Sequence, residues 1–232
     1  WHGPLMICGF FGVVIGLERA VAIGRWWAYA GPLFAGLGTA AALHGQVAAT
    51  PVLTLAASAV LLAASLHVLW RQREGFMLTI ALAAGCWTVG TALWAAGAAV
   101  HEVVGWWIGF LVLTIAGERL ELTRFMPPSR SATRLFAAIV AAVLLALLAW
   151  GQPSGPRLFG VALLVLAAWL LRHDIARRTV RQQGLTRFIA VCLLSGYFWL
   201  ALGGAVIAVA GLAPGGAAYD AALHALLLGF VF

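Results

Sequence analysis

The sequence has few charged residues and no lysine. Only 9% of its 232 residues are Asp, Glu, Lys or Arg, whereas about a quarter of a soluble domain is charged. This shortage excludes an ordinary soluble domain. The short segments of alternating polarity that build a membrane β-barrel are also missing. The chain is therefore expected to be helical and to lie in a membrane.

Cysteine is scarce as well. Cys8, Cys86 and Cys192 lie in three different apolar runs, without the CxxC or metal-ligand spacing of a redox or zinc site. We therefore expect three small, buried packing residues. Phosphate-binding glycine-rich loops, HExxH sequences and nucleophile elbows do not occur, nor do nucleic-acid-binding motifs. The net charge of +7 therefore does not indicate a nucleic-acid partner.

Apolar runs of membrane-spanning length follow one another along the chain. They predict an all-α polytopic membrane protein with about nine helices, folded as a single transmembrane domain over residues 1–232. Because the chain does not begin with Met and ends within an apolar run, further helices are expected at both ends of a longer protein. The predicted segments lie near 2–23, 26–43, 51–70, 76–98, 102–122, 132–150, 156–173, 185–211 and 217–232.

All 14 basic residues are arginines, and 13 of them lie in alternate connections between the segments. The exception is Arg157. This asymmetry is the positive-inside signal, so the connections that hold the 13 are predicted to be cytoplasmic. His2, His101 and His224 then lie near the outer ends of segments 1, 5 and 9. The 13 arginines are Arg19, Arg25, Arg71, Arg73, Arg119, Arg124, Arg130, Arg134, Arg172, Arg177, Arg178, Arg181 and Arg187.

Those three histidine-headed segments resemble one another. The stretches WHGPLMICGFFGVVIGLERA and HEVVGWWIGFLVLTIAGERL both contain Gly-Phe followed nine residues later by Glu-Arg, and HALLLGFVF again has a histidine before Gly-Phe. Segments 1, 5 and 9 are spaced by four. The pattern predicts three four-helix units near 1–98, 101–211 and 217–232, the last incomplete, within a twelve-helix bundle.

A histidine inside the membrane usually marks a functional contact. In an α-helix, His2 shares a face with Met6 and Gly9, and His101 shares one with Gly105 and Gly109. Small residues on that face would let a flat ligand approach. The alternative, which we favour for the glycines, is that Gly105-xxx-Gly109 and Gly12-xxx-Gly16 are helix-packing surfaces.

The histidines have an alternative role as well, as interfacial residues bonded to carbonyl groups. Three at one depth, on helices spaced by four, nevertheless indicate one common site. Haem is the natural occupant, because imidazoles from two facing helices can bind its iron within an apolar bundle.

At these residues the sequence resembles a known family. The stretch His2-Gly3-Pro4-Leu5-Met6 looks like the second helix of haem–copper oxidase catalytic subunits, in which the histidine binds haem. His101-Glu102-Val103-Val104 resembles the start of their sixth helix, which carries a copper-ligating histidine, and His224 matches a haem ligand of their tenth. Their three four-helix arcs resemble the repeat. The Trp1-His2 opening and the Leu-His-Ala-Leu stretch around His224 are more similar to the NnrS family of membrane haem and copper proteins.

The resemblance implies a haem protein in the bacterial inner membrane that binds or handles nitric oxide. His2 and His224 would bind haem iron, with Met6, Gly9 and Gly105 beside the haem, and His101 would be a distal or copper ligand. An electron donor would dock at the outer face. Segment 6 lacks the copper-binding histidine pair of the oxidases, and no lysine is present for a proton pathway, so oxidase activity is not expected; turnover as an oxidoreductase stays open. The rival hypotheses are a secondary transporter and a non-catalytic membrane scaffold.

Polar residues near the segment ends receive simpler interpretations. Glu18-Arg19 and Glu118-Arg119 are expected to snorkel towards the headgroups. Glu102 and Asp220 are candidates for orienting the imidazoles of their neighbours, and Glu102 has solvent exposure as its alternative. The stretch from Arg172 to Arg181 is expected to be a solvated cytoplasmic loop that also meets anionic lipid.

Overall fold

The computed structural model describes residues 2–123 and 129–232, which contain helices and no strand. Trp1 of the Trp-His opening and Arg124 of the cytoplasmic arginines lie outside the described residues. The helices in chain order are α1 (His2–Ile23), α2 (Ala30–Leu43, preceded by the 3₁₀ turn Trp26–Tyr29), α3 (Ala49–Arg71), α4 (Gly75–Ala95), α5 (Val100–Leu122), α6 (Arg130–Leu148), α7 (Ser154–His173), the short α8 (Ala176–Thr179), α9 (Gly184–Ala210) and α10 (Ala217–Val231).

Every predicted segment contains a helix, and the helix ends lie within three residues of the predicted ends, except that α2 begins four residues after its predicted start, behind the 3₁₀ turn. Seven helices of the described chain are long and apolar enough to cross a membrane: α1, α3, α4, α5, α6, α7 and α9. The all-helical, multi-pass character is therefore confirmed. The helices α2 and α10 are shorter, so their spanning the membrane stays a prediction, as does the twelve-helix bundle of three repeats.

The chain forms two compact units, Trp1–Thr114 and Ile115–Phe232, and the boundary falls within α5. In the first unit, α2 packs against α1 and α3, and α3 packs against α4. Aromatic rings join α4 to the first half of α5. Trp87 stacks on Phe110 with centroids 5.0 Å apart, and Trp94 meets Trp107 edge to face at 5.3 Å. That residues 1–232 form a single domain stays a prediction.

In the second unit, α7 packs between α6 and α9, and α9 also contacts α8 and α10. The crossing of α7 and α9 depends on two glycines. A Cβ atom on Gly160 would lie 2.6 Å from the Gly204 carbonyl oxygen, and one on Gly204 would lie 2.9 Å from the Gly160 oxygen. Because both contacts are with backbone atoms that cannot move aside, the two helices approach as closely as small-residue packing in membranes allows.

Side chains and backbone turns fix several helix ends. The Ser129 hydroxyl accepts a hydrogen bond from the Ala132 amide at the start of α6, as an N-cap does. At the start of α5, the Glu102 carboxylate accepts one from the Ala99 amide, which is the glutamate half of a capping box. α1 ends at Gly24, whose φ of 65° is the left-handed conformation of a helix C-cap.

Candidate functional site

His224 is the best-defined of the predicted site residues. Its Nδ1 atom donates a hydrogen bond to the Asp220 carbonyl oxygen at 2.7 Å, one helical turn earlier. The ring is exposed and lines a groove of about 630 Å³ together with residues of α9 and α10. The other lining residues are Trp199, Leu202, Val206, Ala221, Ala225, Leu228 and Gly229. The groove is therefore apolar except for one imidazole whose Nε2 atom is not used by this bond.

The hydrogen bond changes the predicted role of Asp220. Its backbone oxygen, and not its carboxylate, orients the imidazole of His224. Glu102 likewise does not orient the neighbouring His101, because its carboxylate accepts the Ala99 amide at 2.7 Å in the capping interaction. Neither carboxylate therefore serves as the orienting acceptor that the sequence suggested.

Immediately after His224 the backbone becomes π-helical, over Ala225–Val231. The first helix does the same: Leu5–Phe11 is π-helical and follows the short turn that begins at His2. These are the two π-helical stretches of the described chain. A π-helical turn is rare and is frequently found at functional sites. Segments 1 and 9, which the sequence matched through a histidine and a Gly-Phe pair, thus also share a backbone distortion.

Each π-helical stretch holds its glycine against a neighbouring helix. A Cβ atom on Gly9 would lie 2.6 Å from the Thr39 Oγ1 atom of α2, and one on Gly229 would collide with the Trp199 side chain of α9. Gly9 is therefore a packing residue against α2, so its predicted place beside a haem has no support from this contact. Met6 is half-buried, and His2 is exposed.

The other glycines of α1 also pack. A side chain on Gly12 would meet the Trp87 ring at 2.7 Å, and one on Gly16 would meet Pro32 at 3.3 Å. The interpretation of Gly12-xxx-Gly16 as a helix-packing surface is therefore confirmed. Gly105 is buried on α5, and its role beside a haem stays a prediction.

His101 is exposed at the start of α5, which is α-helical to Leu122 and has no π-helical stretch. Among residues 2–123 and 129–232, no three His, Cys, Asp or Glu side chains form a group that could hold a metal ion. A copper site at His101 therefore has no support from a ligand cluster. That His2, His101 and His224 serve one metal centre stays a prediction.

The second unit contains a buried ionic cluster that the sequence did not reveal. Arg119, near the end of α5, donates from Nε and Nη2 to the two carboxylate oxygens of Asp174, at 2.6 and 2.8 Å. The Tyr197 hydroxyl of α9 donates to the same carboxylate at 2.6 Å, and the Ala176 amide does so at 2.6 Å. The side chains of Arg119 and Asp174 are 12% and 1% exposed. The snorkelling role expected of Arg119 and the solvated loop expected at Asp174 are therefore wrong.

The cluster controls the ionisation of Asp174. Burial alone would raise the pKa of this carboxyl, but the hydrogen bonds from Arg119, Tyr197 and the Ala176 amide outweigh it, and the pKa lies below its ordinary value. Asp174 is therefore an anion at neutral pH, although it is buried. A charge pair of this kind in a membrane protein is rare and usually has a function.

The cysteines follow the prediction in two of three positions. Cys8 and Cys86 are buried, and Cys8 accepts a hydrogen bond from the Trp87 indole N–H at 3.4 Å. Cys192 is exposed on α9, so its prediction as a buried residue is wrong. The helix that contains Cys192 is buried on one face only. A continuous run of apolar residues does not show which face of the helix is buried.

Comparison with known proteins assigns a family but no activity. The chain matches no curated protein and no solved structure. One family model matches residues 1–232, the whole chain, and its description is "Domain of unknown function (DUF8744)". The chain therefore belongs to the DUF8744 family.

Proposed function

We propose that this chain is a membrane haem protein, of the kind found in the NnrS family, that binds or handles nitric oxide. The observation that carries the proposal is His224, an oriented imidazole at the head of a π-helical stretch, facing an apolar groove. The resemblance of the histidine motifs to haem-ligand helices supplies the identity of the cofactor.

The residues around His224 fit a histidine that would bind haem iron. The Nδ1–H bond to the Asp220 oxygen fixes the ring tautomer, so that Nε2 carries the lone pair that a metal needs. Metal-bound histidines usually have such a second hydrogen bond. The groove of about 630 Å³ lies within the range of small-molecule and cofactor sites, and its lining is apolar. Trp199 and Leu228 line the same groove as His224 and would give a haem an apolar surface.

His2 is the proposed second iron ligand. Its support is the shared motif and the shared π-helical stretch of segments 1 and 9. His101 lacks both the π-helical stretch and a neighbouring ligand cluster, so its role as a distal or copper ligand rests on the resemblance alone.

Bound at His224, a haem would supply an iron atom that takes a diatomic ligand such as nitric oxide. The chain itself would supply the imidazole, its orientation and a dry apolar surface. In the proposed setting, the bacterial inner membrane, an electron donor would approach the outer face. Whether the protein turns nitric oxide over or only binds it is a property that the same preparation can measure.

The test is the absorption spectrum of the purified full-length protein, with its haem and metal content. We expect a Soret band that shifts on addition of nitric oxide and that His2→Ala and His224→Ala both lose. His44→Ala is the matched control, because His44 is an exposed histidine of a connection between helices. A folded but colourless protein, produced with haem available, would refute the proposal and favour the transporter or scaffold hypothesis.

A further inference from the structure

The connection between α7 and α9 carries a concentration of exposed arginines. Within residues 172–187, Arg172, Arg177, Arg181 and Arg187 are all exposed, and we call these four the arginine patch. Arg178, between Arg177 and Arg181, is exposed as well. The patch gives this end of the second unit a strongly positive surface, whereas the chain as a whole has very few charges.

The one acidic residue of this stretch cannot neutralise the patch. Asp174 is 4% exposed, and both of its carboxylate oxygens accept hydrogen bonds from Arg119, with further bonds from Tyr197 and the Ala176 amide. Its charge is therefore balanced by an arginine of α5. No carboxylate among the described residues forms an ion pair with any of the four arginines. The positive charge of the patch is left for a partner outside the chain.

The position of the patch indicates what kind of anion it meets. Arg187 lies in the first turn of α9, beside Leu185 and Phe188, which are 73% and 65% exposed. Large apolar side chains exposed on a membrane-spanning helix face acyl chains. Arg187 therefore fits the level at which acyl chains give way to headgroups, and the other three arginines precede it in the same connection.

Part of the patch is also held in place. The Arg177 Nη1 atom donates to the Arg172 carbonyl oxygen at 3.2 Å, which brings these two arginines together. The cluster at Asp174 fixes the backbone between them, because Asp174 is bonded to α5, α9 and the following turn. A partly ordered guanidinium loses less conformational entropy when it binds an anion.

We infer that the arginine patch binds the phosphate headgroup of an anionic phospholipid. A guanidinium pairs with phosphate through two parallel N–H···O bonds, and basic clusters at the cytoplasmic surface attract anionic lipids. The exposed Leu185 and Phe188 receive the acyl chains of the same lipid molecule. This inference does not depend on haem, because it uses none of the predicted histidine sites.

The test is native mass spectrometry of the full-length protein released from bilayers of phosphatidylglycerol and phosphatidylcholine in equal amounts. We expect retained phosphatidylglycerol on the unaltered protein. Replacement of all four arginines of the patch by glutamine should weaken its binding by about a hundredfold or more, because each basic side chain near an anionic surface contributes roughly a factor of five. The matched control replaces the exposed Arg71, Arg73, Arg130 and Arg134 by glutamine and should retain the lipid.

Several outcomes would overturn the inference. Equal retention of the two lipids by the unaltered protein would do so without any variant, as would equal loss in the patch and control variants. Inorganic phosphate binding as tightly as the lipid would show a phosphate site instead. If the glutamine variant does not fold, replacement by four lysines preserves the charge. It should bind phosphatidylglycerol more weakly than arginine does, because lysine lacks the planar fork.

Discussion

Asp174 is buried and ionised, and the charged side chain that binds it is Arg119. Replacing it by asparagine keeps its shape but leaves the Arg119 guanidinium, which is 12% exposed, without a counter-charge. Removing one partner of a buried pair lowers the free energy of unfolding by about 3 kcal/mol. We expect Asp174→Asn to melt clearly below the unaltered protein in a thermal scan in detergent. Glu74→Gln is the control, since Glu74 is exposed, and should melt unchanged.

The same pair predicts an acid dependence of stability. The folded-state pKa of Asp174 is below its ordinary value of about 3.9, so its stabilisation is fully present above that pH. It is lost as the pH falls through the lowered pKa. The melting temperature of the unaltered protein should therefore approach that of Asp174→Asn below about pH 4. A constant gap between the two from neutral pH to pH 3 would contradict the ion pair's contribution.

At this scale the sequence was least informative. Arg119 lies 55 residues before Asp174, and Tyr197 lies 23 after it. Nothing in the local pattern joins them, because the cluster arises from the packing of α5 and α9 around one turn. From sequence alone, an acidic residue in an arginine-rich stretch is predicted to be solvated, because nothing in the stretch indicates that it is buried. The hydrogen bond from His224 to the Asp220 carbonyl oxygen could not be predicted either, although His224 itself was predicted as a site residue.

Among the helices, α7 and α9 pack with their backbones close together at Gly160 and Gly204. Gly160→Val would place side-chain atoms against the backbone at Gly204 and Ala208, which cannot move without separating the helices. Overpacking of this kind costs about 1–3 kcal/mol, and more when only backbone can yield. We expect a large fall in the melting temperature. Gly36→Ala, at a helical glycine with nothing within 4 Å of the added Cβ, should be neutral or slightly stabilising.

Helix positions were predictable because the apolar runs are long and are separated by glycine, proline and arginine. α3 and α7 show this, since both end at arginine-containing connections close to the predicted residues. The π-helical stretches were not predictable. A change from i→i+4 to i→i+5 hydrogen bonds does not alter the amino-acid composition. The sequence of Leu5–Phe11 therefore predicts an ordinary apolar α-helix.

For the whole molecule, the arginine distribution predicts one orientation in the membrane. Cysteines introduced at Gln72 and Gln182 should be reached from the cytoplasm, and cysteines at Gln46 and Gln152 from the outside. All four glutamines are exposed in connections between helices. Labelling of intact cells with an impermeant maleimide, in a Cys192→Ala background, measures this directly. If the cysteines introduced at positions 72 and 152 are labelled from the same side, the predicted orientation is contradicted.

The architecture at this scale was predictable only in outline. Composition and run length gave an all-helical membrane protein, and seven helices satisfy the requirements for spanning. The threefold repeat rests on short motifs and stays a prediction; the helices of His2 and His224 share a π-helical stretch, whereas α5, which begins near His101, is regular. Repeat symmetry is a relation between the positions of helices in space. The spacing of short sequence motifs along the chain gives little information about those positions.

The π-helical stretches affect how α1 and α10 can tolerate the insertion of a residue. A π-helical turn accommodates one residue more than an α-helical turn, so each stretch behaves like a helix that has absorbed an insertion. An inserted residue in a rigid α-helix rotates everything beyond it by about 100°. Because α1 and α10 already contain such turns, a change of one residue within them is taken up locally, and the helix beyond keeps its packed face.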